Sequence, residues 1–233
     1  AAVDEDPGTP AANLQPGNGF FIVWGFAEPP ETEPLEGDYR RRVKELFTSR
    51  SGRTMAASAY RQWLVRLNAA GARLSLEAAG GRALVAASIG PTGELPAPLG
   101  TVSEAELEEG FRRQIRAVLE AGVRILCVET MTDLAEAACA VRAARRAAGE
   151  LGVEAEVMAT LTYGPTPGGY RTVMGVDIPA TVTSLTRAGA DVLGSNCGNG
   201  IEQMLPIAAA FRGLTSLPLL IQANAGLPVL GGD

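Results

Sequence analysis

The stretch Ala190-Asp191-Val192-Leu193-Gly194-Ser195-Asn196-Cys197-Gly198-Asn199-Gly200 decides how this chain folds: a short apolar run ends in an Asn-Cys pair, and a glycine-rich turn then opens a helix. Strand, glycine turn and helix form the unit from which parallel sheets are built, because parallel strands need a crossover connection. Glycines after a strand let backbone amides approach a ligand. Cys197 beside them can act as a nucleophile or a soft metal ligand once deprotonated. The plain alternative is a buried cysteine at a strand end, since free cysteine often behaves as a small core residue.

The same unit recurs along the chain. Ala83–Ser88 runs into Ile89-Gly90-Pro91-Thr92-Gly93, Arg124–Val128 into Glu129-Thr130-Met131, and Leu219–Ala223 into Asn224-Ala225-Gly226, while Glu156–Leu161 precedes a long loop. With Asp191–Leu193 this makes five expected strands, each followed by polar residues or glycine at its carboxyl end, where barrels and doubly wound sheets bind ligands. The helices between them are marked by the capping-box pattern Ser103-Glu104-Ala105-Glu106 and by alanine-rich runs from Asp133 to Glu150 and Pro179 to Ala188. Their ends are expected near Gly122, Gly152 and Gly189. Residues 1–66 read as an atypical Pro/Gly-rich N-terminal segment with one possible strand at Phe20–Phe26, and residues 67–233 as the domain that carries the strand–helix alternation. Met55 to Gly80 has helical composition, and its Trp63, Leu64, Leu67, Leu74 and Leu76 are expected to pack on the sheet.

With 233 residues, 46% of them hydrophobic, the chain can bury a core the size of one large α/β domain. A net charge of −6 and a pI near 4.9 offer no basic field for nucleic acid or anionic lipid, so the expected partner is a small molecule, with no nucleic acid and no membrane. No apolar run reaches the ~18 residues that span a bilayer. Three widely spaced cysteines, Cys127, Cys139 and Cys197, and no stretch resembling a cleavable signal peptide lead to the expectation of a reducing cytoplasm. The chain has no histidine, so any metal must be held by Cys, Asp, Glu or backbone oxygen, and Ser-His or Cys-His hydrolase chemistry within this chain is excluded.

Taken together, Ser88-Ile89-Gly90-Pro91-Thr92-Gly93, Val128-Glu129-Thr130-Met131 with Asp133-Leu134, Gly194-Ser195-Asn196-Cys197 and Asn224-Ala225-Gly226-Leu227-Pro228 closely resemble the homocysteine S-methyltransferase family. The loop Thr162–Tyr170 leading to Met174-Gly175-Val176 looks like the family's as well. The resemblance covers roughly Leu67 to Gly232, with the motifs in the family's order. It implies an α/β fold of the (β/α)8 TIM-barrel type, here incomplete, with about five recognisable βα units and the last strand missing. It also implies zinc held by three cysteines. Cys197 matches the first ligand, and the adjacent pair that supplies the other two is absent from the sequence.

By this resemblance Cys197 is the catalytic and metal-ligating residue, and Glu129 sits where the family binds the amino group of homocysteine. A carboxylate at a strand tip is suited to an ammonium, against the alternative of an exposed acid capping a helix. Asn196 and Asn224 can orient the amino acid or simply satisfy turn backbone, and Ser88 with the Gly90–Gly93 turn can supply donors to the substrate carboxylate or form a plain tight turn. Tyr163 and Tyr170 flank a loop able to cover a methyl donor. Cys127, Cys139, Met131 and Met174 read as packing, and Asp133 as a helix cap. Zinc would deprotonate a bound thiol while leaving its sulfur nucleophilic. The function implied is zinc-dependent methyl transfer to homocysteine giving methionine, using a small methyl donor, with self-association or a complementing chain to complete the barrel. The alternatives are a metal-free binding or assembly remnant of that family, and a corrinoid-linked methyltransferase with another substrate.

Overall fold

The computed structural model describes residues 50–94, 96 and 98–226, with side chains from residue 65. The segment 1–49, with the strand expected at Phe20–Phe26, lies outside the described residues.

Helix α1 (Arg50–Ala79) leads into β1 (Ala86–Ile89), α2 (Glu104–Glu120), β2 (Ile125–Met131), α3 (Leu134–Leu151) and β3 (Glu156–Leu161). A short hairpin of β4 (Gly164–Thr166) and β5 (Gly169–Arg171) follows, then α4 (Ile178–Ala188), β6 (Val192–Asn196), α5 (Ile201–Arg212) and β7 (Leu219–Gln222). The five long strands form one parallel sheet in the order β1-β2-β3-β6-β7, so each new strand is laid beside the last. The common polarity brings every carboxyl tip, from Ser88 to Gln222, to one edge. The loop expected after β3 is instead an antiparallel hairpin joined by Pro167 and Gly168, with Gly169, paired to Thr166, at φ +110°.

Period-two alternation divides the strands between two faces. Ile89, Leu126, Val128, Val157, Ala159, Leu161 and Leu193 pack with the helices in the main core. Fully burying such a side chain contributes about 1.5–3 kcal/mol. Ala86, Cys127, Met158 and Val192 form a second, smaller cluster with Ile125 and Leu220 on the other face. By the same alternation Ser88, Glu129, Thr160, Asn196 and Gln222 continue that second face towards the tips.

The helix starts follow their local chemistry. Ser103 caps α2 in a reciprocal capping box with Glu106, and Asp133 and Asp177 cap α3 and α4 through the amides of Glu136 and Ala180. Gly152 and Gly189 close α3 and α4 in left-handed conformation. Alanines 137, 138, 140, 143, 144, 147 and 148 on α3 are buried, and so small a side chain lets this helix lie close to both α2 and the sheet. Helix α1 packs on α2 through Ala72, with Leu76 partly buried against the core. Leu67 and Leu74, expected on the sheet, are exposed, since α1 packs chiefly on α2 and not on the sheet. The side chains of Trp63 and Leu64 lie outside the described set. No helix among the described residues is long and apolar enough to cross a membrane.

Candidate functional site

Strand β2 does not end regularly. Its register against β3 shifts between Val128 and Met131, and within that bulge Thr130 adopts φ +60°. A bulge at a strand tip re-aims the side chains around it. Glu129 is thereby held 2% exposed on the second face. Its Oε1 accepts the Ser88 hydroxyl at 2.5 Å, and its Oε2 lies 3.8 Å from Cys127 Sγ. Among the described residues no lysine or arginine pairs with it.

Two strands away, β6 ends at Asn196, and Cys197 follows with φ +60°. Asn196 is 2% exposed and Cys197 half-buried. The Asn196 amide reaches across β3: Oδ1 accepts from the Thr130 N–H and the Thr160 hydroxyl, each at 2.8 Å, while Nδ2 donates to Thr130 Oγ1 at 2.8 Å and Cys197 Sγ at 3.3 Å. The Thr162 hydroxyl donates to the Asn196 carbonyl at 2.9 Å, and the Cys197 N–H donates to the Gln222 carbonyl at 3.1 Å. The turn is pinned further by Asn199, whose Nδ2 donates to the Tyr163 carbonyl at 2.5 Å and whose own carbonyl accepts the Asn224 N–H at 2.8 Å. Gly198 has φ +74°, and a Cβ there would come within 2.8 Å of Thr162 Cγ2, so this position takes glycine for two reasons.

The residues singled out in the sequence therefore fall into three groups along one edge. Ser88 and Glu129 bond each other, Asn196 and Cys197 bond each other, and Asn224 lies on the exposed turn beyond β7. The Gly90–Gly93 turn is fastened to α3, since Thr92 donates both its N–H, at 2.7 Å, and its hydroxyl, at 2.5 Å, to the buried Glu136 carboxylate. Thr130, Thr160, Thr162 and Gln222 were not picked out as site residues. Their signal was weak because threonine is common in strands, and only the bulge turns Thr130 towards Asn196. Tyr163 is a core residue rather than a cover for the site: it is 1% exposed, donates to the Thr181 hydroxyl at 2.7 Å and meets Phe211 edge-on at 5.9 Å. Tyr170, in the hairpin, is partly buried against the main core.

The other two thiols are packing residues, as expected. Burial first, then the neighbouring Glu129 carboxylate, pushes the Cys127 thiol well above its ordinary value, and burial pushes the Cys139 thiol up to about 11. Cys139 lies on α3 with the Arg142 guanidinium donating to its sulfur at 3.2 Å, away from the strand tips. Among the described residues no group of three Cys, Asp or Glu side chains assembles that would hold a metal. Cys197 supplies one soft donor, short of the three thiolates of the expected zinc site.

The sequence model of the homocysteine S-methyltransferase family matches residues 47–233. The chain belongs to this family. Among curated proteins it is similar to the methionine synthase of Mycobacterium tuberculosis, 31% identical over 147 residues, and to that of Mycobacterium leprae, 29% identical over 147 residues. Each alignment takes in 63% of this chain and 12% of the relative, so the family member described here corresponds to a small part of those proteins. Among solved structures it is similar to the homocysteine methyltransferase of Escherichia coli. The apo form has TM-score 0.58 at 22% identity, covering 71% of this chain and 62% of that one. The metallated form has TM-score 0.57 at 23% identity, covering 70% and 59%. These likenesses are of fold: among the described residues five parallel strands alternate with helices, as in a TIM-barrel-type α/β fold.

Proposed function

We propose that this chain carries the amino-acid-binding side of a homocysteine S-methyltransferase, which moves a methyl group from a small donor to the sulfur of homocysteine to give methionine. One observation supports it above the rest. Glu129 is a buried carboxylate met by one hydroxyl and one thiol, with no cation beside it among the described residues. A buried ion without a partner is costly, and an ammonium group is the ligand chemistry that offsets it. In this reading Glu129 pairs with the α-ammonium of homocysteine and Ser88 steadies the carboxylate. Asn224 at the exposed turn contacts the amino-acid end, and Cys197 lies beside the reacting sulfur.

The reaction loses the thiol proton, forms the sulfur–methyl bond and breaks the bond from methyl to the donor, whose electron pair leaves with it. The chain's residues bind and orient the amino acid. Cys197 would give a zinc ion one thiolate, and because the other two cysteines of the sequence, Cys127 and Cys139, are buried packing residues, any further thiolates would come from outside these 233 residues. That lone thiol also favours a second reading, a binding protein that keeps the amino-acid site without the metal.

Calorimetric titration of the whole chain with homocysteine, alongside zinc analysis of the same sample, tests both. Glu129→Gln is expected to weaken homocysteine at least about tenfold, the worth of a charge-assisted hydrogen bond, and to leave a thiol acid lacking the amino group unaffected. Equal weakening of both ligands, or of neither, overturns the assignment of Glu129. Homocysteine binding without zinc supports the metal-free reading, and one zinc per chain lost in Cys197→Ala supports the methyltransferase.

A further inference from the structure

Thr130 and Cys197 are the two non-glycine residues with left-handed backbone among those described, both at φ +60°. They sit at the tips of β2 and β6, which are not neighbours, because β3 lies between them. A single side chain spans the gap. A primary amide offers two acceptor positions and two donor hydrogens. In Asn196 all four are taken, by the Thr130 N–H, the Thr160 hydroxyl, Thr130 Oγ1 and Cys197 Sγ. The amide orientation follows from this network: the opposite one would set its NH2 against the Thr130 N–H, donor facing donor.

We propose that Asn196 is a positioning residue rather than a substrate contact. Its saturated amide locks both left-handed strand tips and so fixes the Cys197 thiol relative to Glu129, the residue before Thr130. The proposal rests on the amino-acid-binding reading for its consequence, and on hydrogen-bond geometry alone for its substance. Nothing in the amide remains to greet a ligand unless the lock opens.

The test uses the full chain with Asn196→Ala, Asn196→Asp, Thr130→Val and the Asn196→Ala/Thr130→Val double variant, read by amide hydrogen exchange and by homocysteine calorimetry. Asn196→Ala is expected to speed exchange at Thr130 by about tenfold or more while helix α3 amides stay unchanged. Asn196→Asp, which keeps an oxygen for the Thr130 N–H, is expected to restore slow exchange there. Homocysteine affinity is expected to fall about tenfold in Asn196→Ala, which removes the whole linkage, and by less in Thr130→Val, which loses the Oγ1 bond and keeps the N–H bond, with no further loss in the double variant. Unchanged Thr130 exchange in Asn196→Ala overturns the lock. Weaker binding in Asn196→Ala with none in Thr130→Val makes Asn196 a direct contact and overturns the positioning role. If the unaltered chain binds no homocysteine, the amino-acid reading falls, and Thr130 exchange still decides whether Asn196 is the lock.

Discussion

Two β-branched or thiol-bearing residues in left-handed backbone are an unfavourable choice on local grounds, at about 1–2 kcal/mol each. Both are met by Asn196, whose Oδ1 accepts the Thr130 N–H and whose Nδ2 donates to Cys197 Sγ. Gly194 is the complementary case, a residue chosen for what it lacks. It pairs with Leu220 across β6 and β7, and a Cβ at 194 would fall on the Leu220 carbonyl. Gly194→Ala is therefore expected to push β7 away and to destabilise the chain by about 3 kcal/mol. Chemical denaturation measures this, and an unchanged midpoint would contradict so close an approach of the two strands.

The helices carry their own start signals, and two of them are tied by charge. Glu109 on α2 receives Arg112 Nε at 2.7 Å and Arg113 Nε at 3.0 Å, and Arg112 also reaches Glu150 on α3 at 2.9 Å. The Arg112 hydrogen bond, against the opposing effect of burial, holds the Glu109 carboxyl at about 2 in place of 4.5. Because the folded value is depressed, the stabilisation is fully present above about 4.5 and is lost as pH falls towards about 2. Glu109 is 35% exposed, so water and salt screen the effect and it stays small. In denaturation at low salt, wild type is expected to exceed Glu109→Gln in stability at pH 6, with the gap narrowing as pH falls from about 4.5 towards about 2. A gap independent of pH would mean that the carboxylate charge contributes nothing.

Across the whole molecule, stability is expected to follow sheet order. β2, β3 and β6 pair on both sides, whereas β1 and β7 pair on one side among the described residues. Every residue of β7 is partly exposed, while Val157 to Leu161 of β3 are fully buried. Amide exchange should then be slowest in β3 and measurably faster in β7, with β1 between, since edge strands open at lower free energy. Equal protection in β7 and β3 would show that something covers that edge. The buried Ser195 hydroxyl has no hydrogen-bond partner among the described residues, a cost to the fold.

Strand identity, helix caps and the shared edge were legible in the sequence because each rests on neighbours in the chain: the apolar run of β3, the Ser103–Glu106 box, the Asp133 cap and glycines in left-handed turns. Family membership was legible for a related reason, since its motifs are short runs at strand tips. The tertiary structure alone decided that Tyr163 is core, that Leu67 and Leu74 face outward, and that Asn196 spends its amide on Thr130, 66 residues away. The last of these depends on the bulge in β2 and on β3 lying between β2 and β6. A sequence pattern records which face a side chain takes along its own strand, but not the distant partner that the register of a second strand brings within hydrogen-bonding reach.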